Sequence, residues 1–174
     1  MGDLKVSIEF CSGNGDWIVE KALLEPERHF VAVELRYDRV QKIEKRVRNR
    51  GVKNLTVVRG EAYLFVKESV RDRSVEDVFI NFPDPWPKRR HAKHRLIQEP
   101  FLNELARVMT GSLTLATDDA NYMNEALRLL DRHPDFEGGR CQIEGYGTSY
   151  FDALWREKGK EIFYATYRRQ PAQD

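Results

Sequence analysis

Cysteine is scarce in this chain of 174 residues: there are two, Cys11 and Cys141, in unlike surroundings and with neither a CxxC pair nor a metal-ligand spacing. That excludes a disulfide scaffold and a zinc framework, and it points to a reduced, cytoplasmic protein. Long apolar runs are missing too, since none approaches the roughly 18 residues of a membrane span. The opening residues carry no signal peptide and no Ser or Thr placed for myristoylation, so neither a membrane partner nor a lipid anchor is expected. Charge of one sign is also lacking: 29 Lys and Arg against 28 Asp and Glu leave a net +1. A nucleic-acid partner would therefore have to be met by local clustering of positive charge. No internal repeat or linker divides the sequence, and a content of 41% hydrophobic and 33% charged residues is that of a globular chain, not a disordered one. The expectation is one domain spanning residues 1–174.

What is present is an alternation of short apolar runs and helical patterns. Residues 4–10 place Leu4, Val6, Ile8 and Phe10 on one side and Lys5, Ser7 and Glu9 on the other, the period of a strand. A central parallel strand is usually apolar on both faces, so the polar side is an anomaly. A turn with Gly13 and Gly15 follows, then a helix over 16–24 stopped by Pro26, and a second strand over 30–33 ending at Glu34. Asp38 with Gln41 reads as a loose capping box for a helix that Gly51 closes. A third strand over 55–58 leads to Glu61 and a short helix over 62–67, and a fourth strand covers 75–80. A helix over 96–109 restarts or kinks at Pro100, a fifth strand covers 113–116, and Asp118 or Asp119 caps the next helix. Residues 134–150 resist assignment, 161–167 reads as a last strand, and 168–174 as a frayed tail. Strand and helix alternating through five strands give an α/β fold, with a parallel sheet covered on both faces.

The most distinctive stretch is 81–95, Asn-Phe-Pro-Asp-Pro-Trp-Pro-Lys-Arg-Arg-His-Ala-Lys-His-Arg, at the end of the fourth strand. Pro83, Pro85 and Pro87 exclude helix and sheet, because each fixes φ and lacks an N–H. The stiff loop cages one carboxylate, Asp84, and five Lys or Arg with two His follow in residues 88–95. His91 and His94 have no further ligand pattern around them, so no metal is expected. Trp86 either stacks on a base or packs the loop.

In parallel sheets ligands bind beyond the carboxyl ends of the strands. Here those ends carry Glu9 with the glycine turn, then Glu34, Glu61, Asp84 and Asp118. A glycine turn followed about 20 residues later by an acid is the nucleotide-type signature, the acid accepting from ribose hydroxyls. The glycine pattern departs from the dinucleotide fingerprint, and an acid-rich pocket repels phosphate. It suits a cation bearing a ribose and an amino group, such as S-adenosylmethionine.

Taken together, the Glu9 turn, Glu34, Glu61, the 81–95 segment and the Ala-Thr-Asp at 116–118 resemble the bacterial tRNA (guanine-N7)-methyltransferases over nearly the whole chain. The resemblance implies a Rossmann-like methyltransferase fold, a mostly parallel twisted sheet with an antiparallel C-terminal edge strand. It implies S-adenosylmethionine as cofactor, held by Glu9, Gly13, Gly15, Glu34, Glu61 and Asp84, with Asp84 also at the reacting centre. It implies tRNA as partner and a guanine of the variable loop as target. Lys88 and Asp118 would hold the substrate, and Arg90, His91, Lys93, His94 and Arg95 would touch RNA. Thr148 and Tyr150 match a further substrate-binding element of the family.

The sequence departs from the family pattern in three respects. Cys11 stands where a glycine is usual and is compatible with the turn if its φ is negative. Phe151 replaces a glutamate, and the basic segment that precedes the first strand in family members is not seen before residue 4. Two other readings stay open from the residues alone: a small-molecule methyltransferase, for which the basic run is superfluous, and a catalytically silent RNA-binding module. The functional unit is either a monomer or a homodimer.

Overall fold

The polar side of the first strand is buried, and specific partners satisfy it. The computed structural model describes residues 5–146, 154 and 156–171. In it β1 (Val6–Phe10) sends Ile8 and Phe10 to one side of a sheet and Ser7 and Glu9 to the other, all four buried. Ser7 Oγ accepts from Arg28 Nη1 at 2.8 Å, and Glu9 Oε1 accepts from Asn81 Nδ2 at 2.8 Å. Paired in this way, polar groups can occupy a central strand without the full cost of desolvation.

The chain continues through α1 (Asp16–Leu24), β2 (His29–Glu34), α2 (Tyr37–Arg50), β3 (Leu55–Arg59), α3 (Ala62–Ser69) and β4 (Asp77–Asn81). A 3-10 helix (Arg89–His94) precedes α4 (Glu99–Val108), β5 (Ser112–Thr117), α5 (Ala120–Leu130), β6 (Phe136–Cys141) and β7 (Phe163–Arg169). The seven strands form one sheet in the order β3-β2-β1-β4-β5-β7-β6. The first five are parallel, and β7 runs antiparallel to both β5 and β6. The chain winds outward from β1 to β3 and then returns to the other side of β1. Phe10, Val33 and Ile80 lie level with one another, so the strand ends there open into one crevice at the switch between β1 and β4.

Two apolar clusters cover the two faces. Trp17, Ile18, Val19, Ala22 and Ile43 of α1 and α2 pack on Phe30 and Ala32. Val66, Phe101, Leu105, Met123 and Leu130, from α3, α4 and α5, pack on Ile8, Phe10, Val78, Ile80, Leu113 and Leu115.

Several boundaries differ from the sequence reading for identifiable reasons. The capping box at Asp38 does not form: Arg36 is the N-cap of α2, Asp38 pairs with Arg36 at 3.0 Å, and Gln41 donates to Tyr37 Oη. Pro100 does not kink a helix, because α4 starts at Glu99 and proline fits the first turn, where no N–H bond is lost. Residues 134–150 contain β6, hidden by Gly138 and Gly139, which have poor strand propensity. Arg168 and Arg169 belong to β7 and not to a tail. The Arg169 Nε donates to the Ala106 carbonyl at 2.8 Å, and its Nη1 pairs with Asp135 at 3.2 Å.

Candidate active site

The turn after β1 is shaped by packing as much as by any ligand. Gly15 is the N-cap of α1 at φ +80°, and a Cβ there would meet Ile43 Cγ1 at 2.8 Å. Only glycine combines that backbone with that approach of α1 to α2. Gly13 N–H donates to Glu34 Oε2 at 2.9 Å, and Arg36 N–H donates to Glu34 Oε1 at 2.9 Å. Buried Glu34 therefore ties the turn to the end of β2. Glu61 accepts from Tyr63 N–H at 3.0 Å and Leu64 N–H at 2.9 Å, capping α3 with both oxygens.

Cys11 does not meet the condition of negative φ: it sits at φ +60°, in the left-handed region that favours glycine. Burial, with the carboxylates of Glu34 and Glu9 nearby, pushes its thiol up to about 12. Glu9 lies beneath the turn, 2% exposed, with Ser12 Oγ donating to its carbonyl at 3.1 Å. Its Oε2 has no hydrogen-bond partner among the described residues. Burial raises its pKa to about 7, against the lowering effect of hydrogen bonds from Asn81 and Ser12. Asn81 in turn accepts from Tyr146 Oη at 2.6 Å, a network with no signal in the sequence beyond the strand-end position of Asn81.

Across the crevice, the loop after β4 holds two residues in left-handed conformations, Phe82 at φ 50° and Trp86 at φ 42°. Asp84 between them is exposed, and its Oδ1 accepts from Trp86 N–H at 3.3 Å. The Trp86 ring lies 5.0 Å from that of His94 and 5.8 Å from that of His91, so it packs on the 3-10 helix. Arg95 turns inward. Its Nε donates to the Pro85 carbonyl at 2.9 Å, its Nη2 donates to the Trp86 carbonyl at 3.3 Å, and its Nη1 pairs with Glu125.

These parts enclose a cavity of about 810 Å³ at the carboxyl ends of the strands, a volume suited to a cofactor. Glu34, Glu61, Asp84 and Asp118 all line it, with Lys93, His94 and Arg95 from the basic run. Asp118 lies 3.6 Å from Lys160 Nζ; Asp119 is the residue that caps α5, accepting from Tyr122 N–H at 2.7 Å. Glu9, Gly13 and Gly15 do not line the cavity. Lys88 and Arg90 are exposed outside it, and His91 is half-buried against Trp86. Thr148 and Tyr150 lie outside the described residues. Leu35, Arg36 and Tyr63 are lining residues that sequence reasoning missed; each follows a strand-end acid by one or two positions. Apolar walls and the row of acids Glu34, Glu61, Asp84 and Asp118 fit a ligand that carries positive charge and hydrogen-bond donors. Among the described residues no group of three or more His, Cys, Asp or Glu forms a metal site, and no helix is long and apolar enough to cross a membrane.

Comparison with known proteins agrees with this arrangement. The Methyltransf_4 family, described as methyltransferases, matches residues 3–164. A tRNA (guanine-N(7)-)-methyltransferase of Chlamydia felis is 47% identical over 170 residues, 95% of this chain and 76% of that protein. The protein of the same name in Chlamydia caviae is 45% identical, over 93% of this chain and 75% of that protein. In fold the chain is similar to a SAM-dependent methyltransferase from Aquifex aeolicus, with a TM-score of 0.67 at 15% identity, covering 97% of this chain and 85% of the other. The motif-bearing strand ends, the sheet order and these relatives agree: the chain belongs to the tRNA (guanine-N7)-methyltransferase family.

Proposed function

We infer that this chain, as one cytoplasmic methyltransferase domain, transfers a methyl group from S-adenosylmethionine to N7 of a guanine in tRNA. The observation that carries this reading is a single cavity, in a member of this family, with fixed acids on one wall and the Asp84 loop with its basic helix on the other. When bound, S-adenosylmethionine supplies an electrophilic methyl group on a positively charged sulfur, which would keep the electron pair of the C–S bond that breaks as the N–C bond forms, leaving a cationic guanine. Glu34 would hold ribose hydroxyls, since each of its oxygens keeps lone-pair capacity beyond the one backbone amide it already accepts. The Glu61 carboxylate adds negative charge at the same wall, facing the cationic end of the ligand, and Glu9 would act from outside the cavity lining.

Guanine N7 has a lone pair and no proton, so this chain needs no general base. The residues must align the base, exclude water and answer the charge on the methylated guanine. Exposed Asp84 answers the charge and can accept from the Watson–Crick edge, which selects guanine. Asp118 and Lys88 would steady the substrate, as would Thr148 and Tyr150. The base has to leave its stack to enter. Lys88, Arg90 and Lys93 would neutralise phosphates, so binding weakens as salt rises.

The test is incubation with methyl-labelled S-adenosylmethionine and unmodified tRNA, followed by borohydride and aniline cleavage. Label in tRNA with scission at one guanine is expected. Cofactor binding without transfer to RNA would favour a small-molecule substrate, and tRNA binding with neither cofactor binding nor transfer would favour a silent RNA-binding module.

A further inference from the structure

The last cation of the basic run does not behave as the others do. Lys88, Arg90, Lys93 and His94 are exposed, whereas the Arg95 side chain is 10% exposed. Its guanidinium spends three nitrogens on the protein: Nε on the Pro85 carbonyl, Nη2 on the Trp86 carbonyl and Nη1 on Glu125 of α5. It also lies 5.8 Å over the ring of Tyr122, a residue 1% exposed whose backbone N–H caps onto Asp119. The loop is thus braced against the first turns of α5.

The consequence for Asp84 follows from one peptide plane. The Pro85 carbonyl and the Trp86 N–H belong to the same rigid, planar unit and point in opposite directions. Arg95 Nε holds the carbonyl end at 2.9 Å, and the N–H end reaches Asp84 Oδ1 at 3.3 Å. Among the described residues this is the one hydrogen bond that the exposed carboxylate makes. Trp86 itself sits at φ 42°, a conformation L-residues seldom keep without outside support. Resting on the methyl-transfer reading above, we propose that Arg95 is a positioning residue for Asp84, its guanidinium fixing the Pro85–Trp86 peptide unit that aims the carboxylate, and that it does not serve as a phosphate contact. Lysine cannot replace it, because an ammonium is a point charge without the planar fork that spans two carbonyls and an acid.

The experiment compares wild type, Arg95→Lys and Glu125→Gln in steady-state methylation and in tRNA binding across salt. Arg95→Lys keeps the charge, so tRNA KM and the salt slope stay within about twofold of wild type. Its kcat falls about 10- to 100-fold, the scale of a displaced catalytic group. Glu125→Gln keeps Arg95 but loosens its anchor, and lowers kcat about threefold or more. A raised KM with intact kcat in Arg95→Lys would overturn the proposal and return Arg95 to the RNA surface. If Arg95→Lys fails to melt cooperatively, Glu125→Gln decides, and a wild-type kcat there overturns the proposal. Wild type that transfers no label at all defeats the methyl-transfer reading itself and this one with it, a pattern distinct from any variant-specific result.

Discussion

On one wall of the cavity Glu34 and Glu61 each accept two backbone N–H groups, while on the other Asp84 accepts one, at 3.3 Å, and remains exposed. The first wall is built from acids that are also parts of the fold: Glu34 ties the turn after β1 to β2, and Glu61 starts α3. Such carboxylates present a fixed shape and charge, which is what holding a cofactor requires. The second wall is a strained loop whose acid owes the fold almost nothing, leaving its lone pairs for a substrate. The acid proposed to act at the reacting centre is thus separable from stability in a way that the acids proposed to hold the cofactor are not.

That separation predicts the largest effect for Asp84→Ala. Transfer should fall about 100- to 1,000-fold, the loss seen when a preorganised charge partner is removed, while the thermal midpoint stays at the wild-type value. Near-normal turnover would take Asp84 out of the mechanism.

Glu9 lies on the fixed side and shows its cost through pH. Its folded pKa is about 7 against an ordinary 4.5, so between these values the folded chain binds more protons than the unfolded one. Stability from this group is therefore full at low pH, declines as pH rises towards 7 and is flat above it. Glu9→Gln should abolish that decline and, at pH 8, raise stability on the order of 2–3 kcal/mol. Urea titrations of both proteins at pH 5 and pH 8 check this, and equal slopes for the two would contradict it.

The basic run gives a smaller effect, confined to RNA. Replacing both Lys88 and Arg90 by Ala should reduce the slope of log affinity for tRNA against log salt by about 1–2. An unchanged slope would make these residues an ordinary solvated surface. Smallest is Cys11→Gly, which relieves a left-handed φ and should stabilise the chain by about 0.5–1 kcal/mol, net of the added freedom of glycine in the unfolded state. A loss of stability in urea would show that the thiol's packing outweighs the strain.

The sequence announces the parts whose signals are local. Alternation marked β1, the Gly51 stop marked the end of α2, and three prolines marked the loop around Asp84. The acids at the strand ends were legible because each follows a short apolar run. Long-range partnerships left no such trace. Ser7 and Glu9 looked anomalous in a central strand because their partners, Arg28 and Asn81, stand 21 and 72 residues away. Arg95 read as one more cation in a run, since nothing near it in sequence reveals the Glu125 and Tyr122 beneath it. β6 went unassigned because two glycines erase its period, although its pairing with β7 secures it.

The contrast between the two walls is tested most directly by single-turnover methylation of tRNA as a function of S-adenosylmethionine concentration, run on Glu34→Ala and Asp84→Ala together. Excess cofactor is expected to return Glu34→Ala to within about threefold of the wild-type rate, and to leave Asp84→Ala at least about 100-fold slow at saturation. An Asp84→Ala rate that climbs to the wild-type plateau at high cofactor would contradict the account.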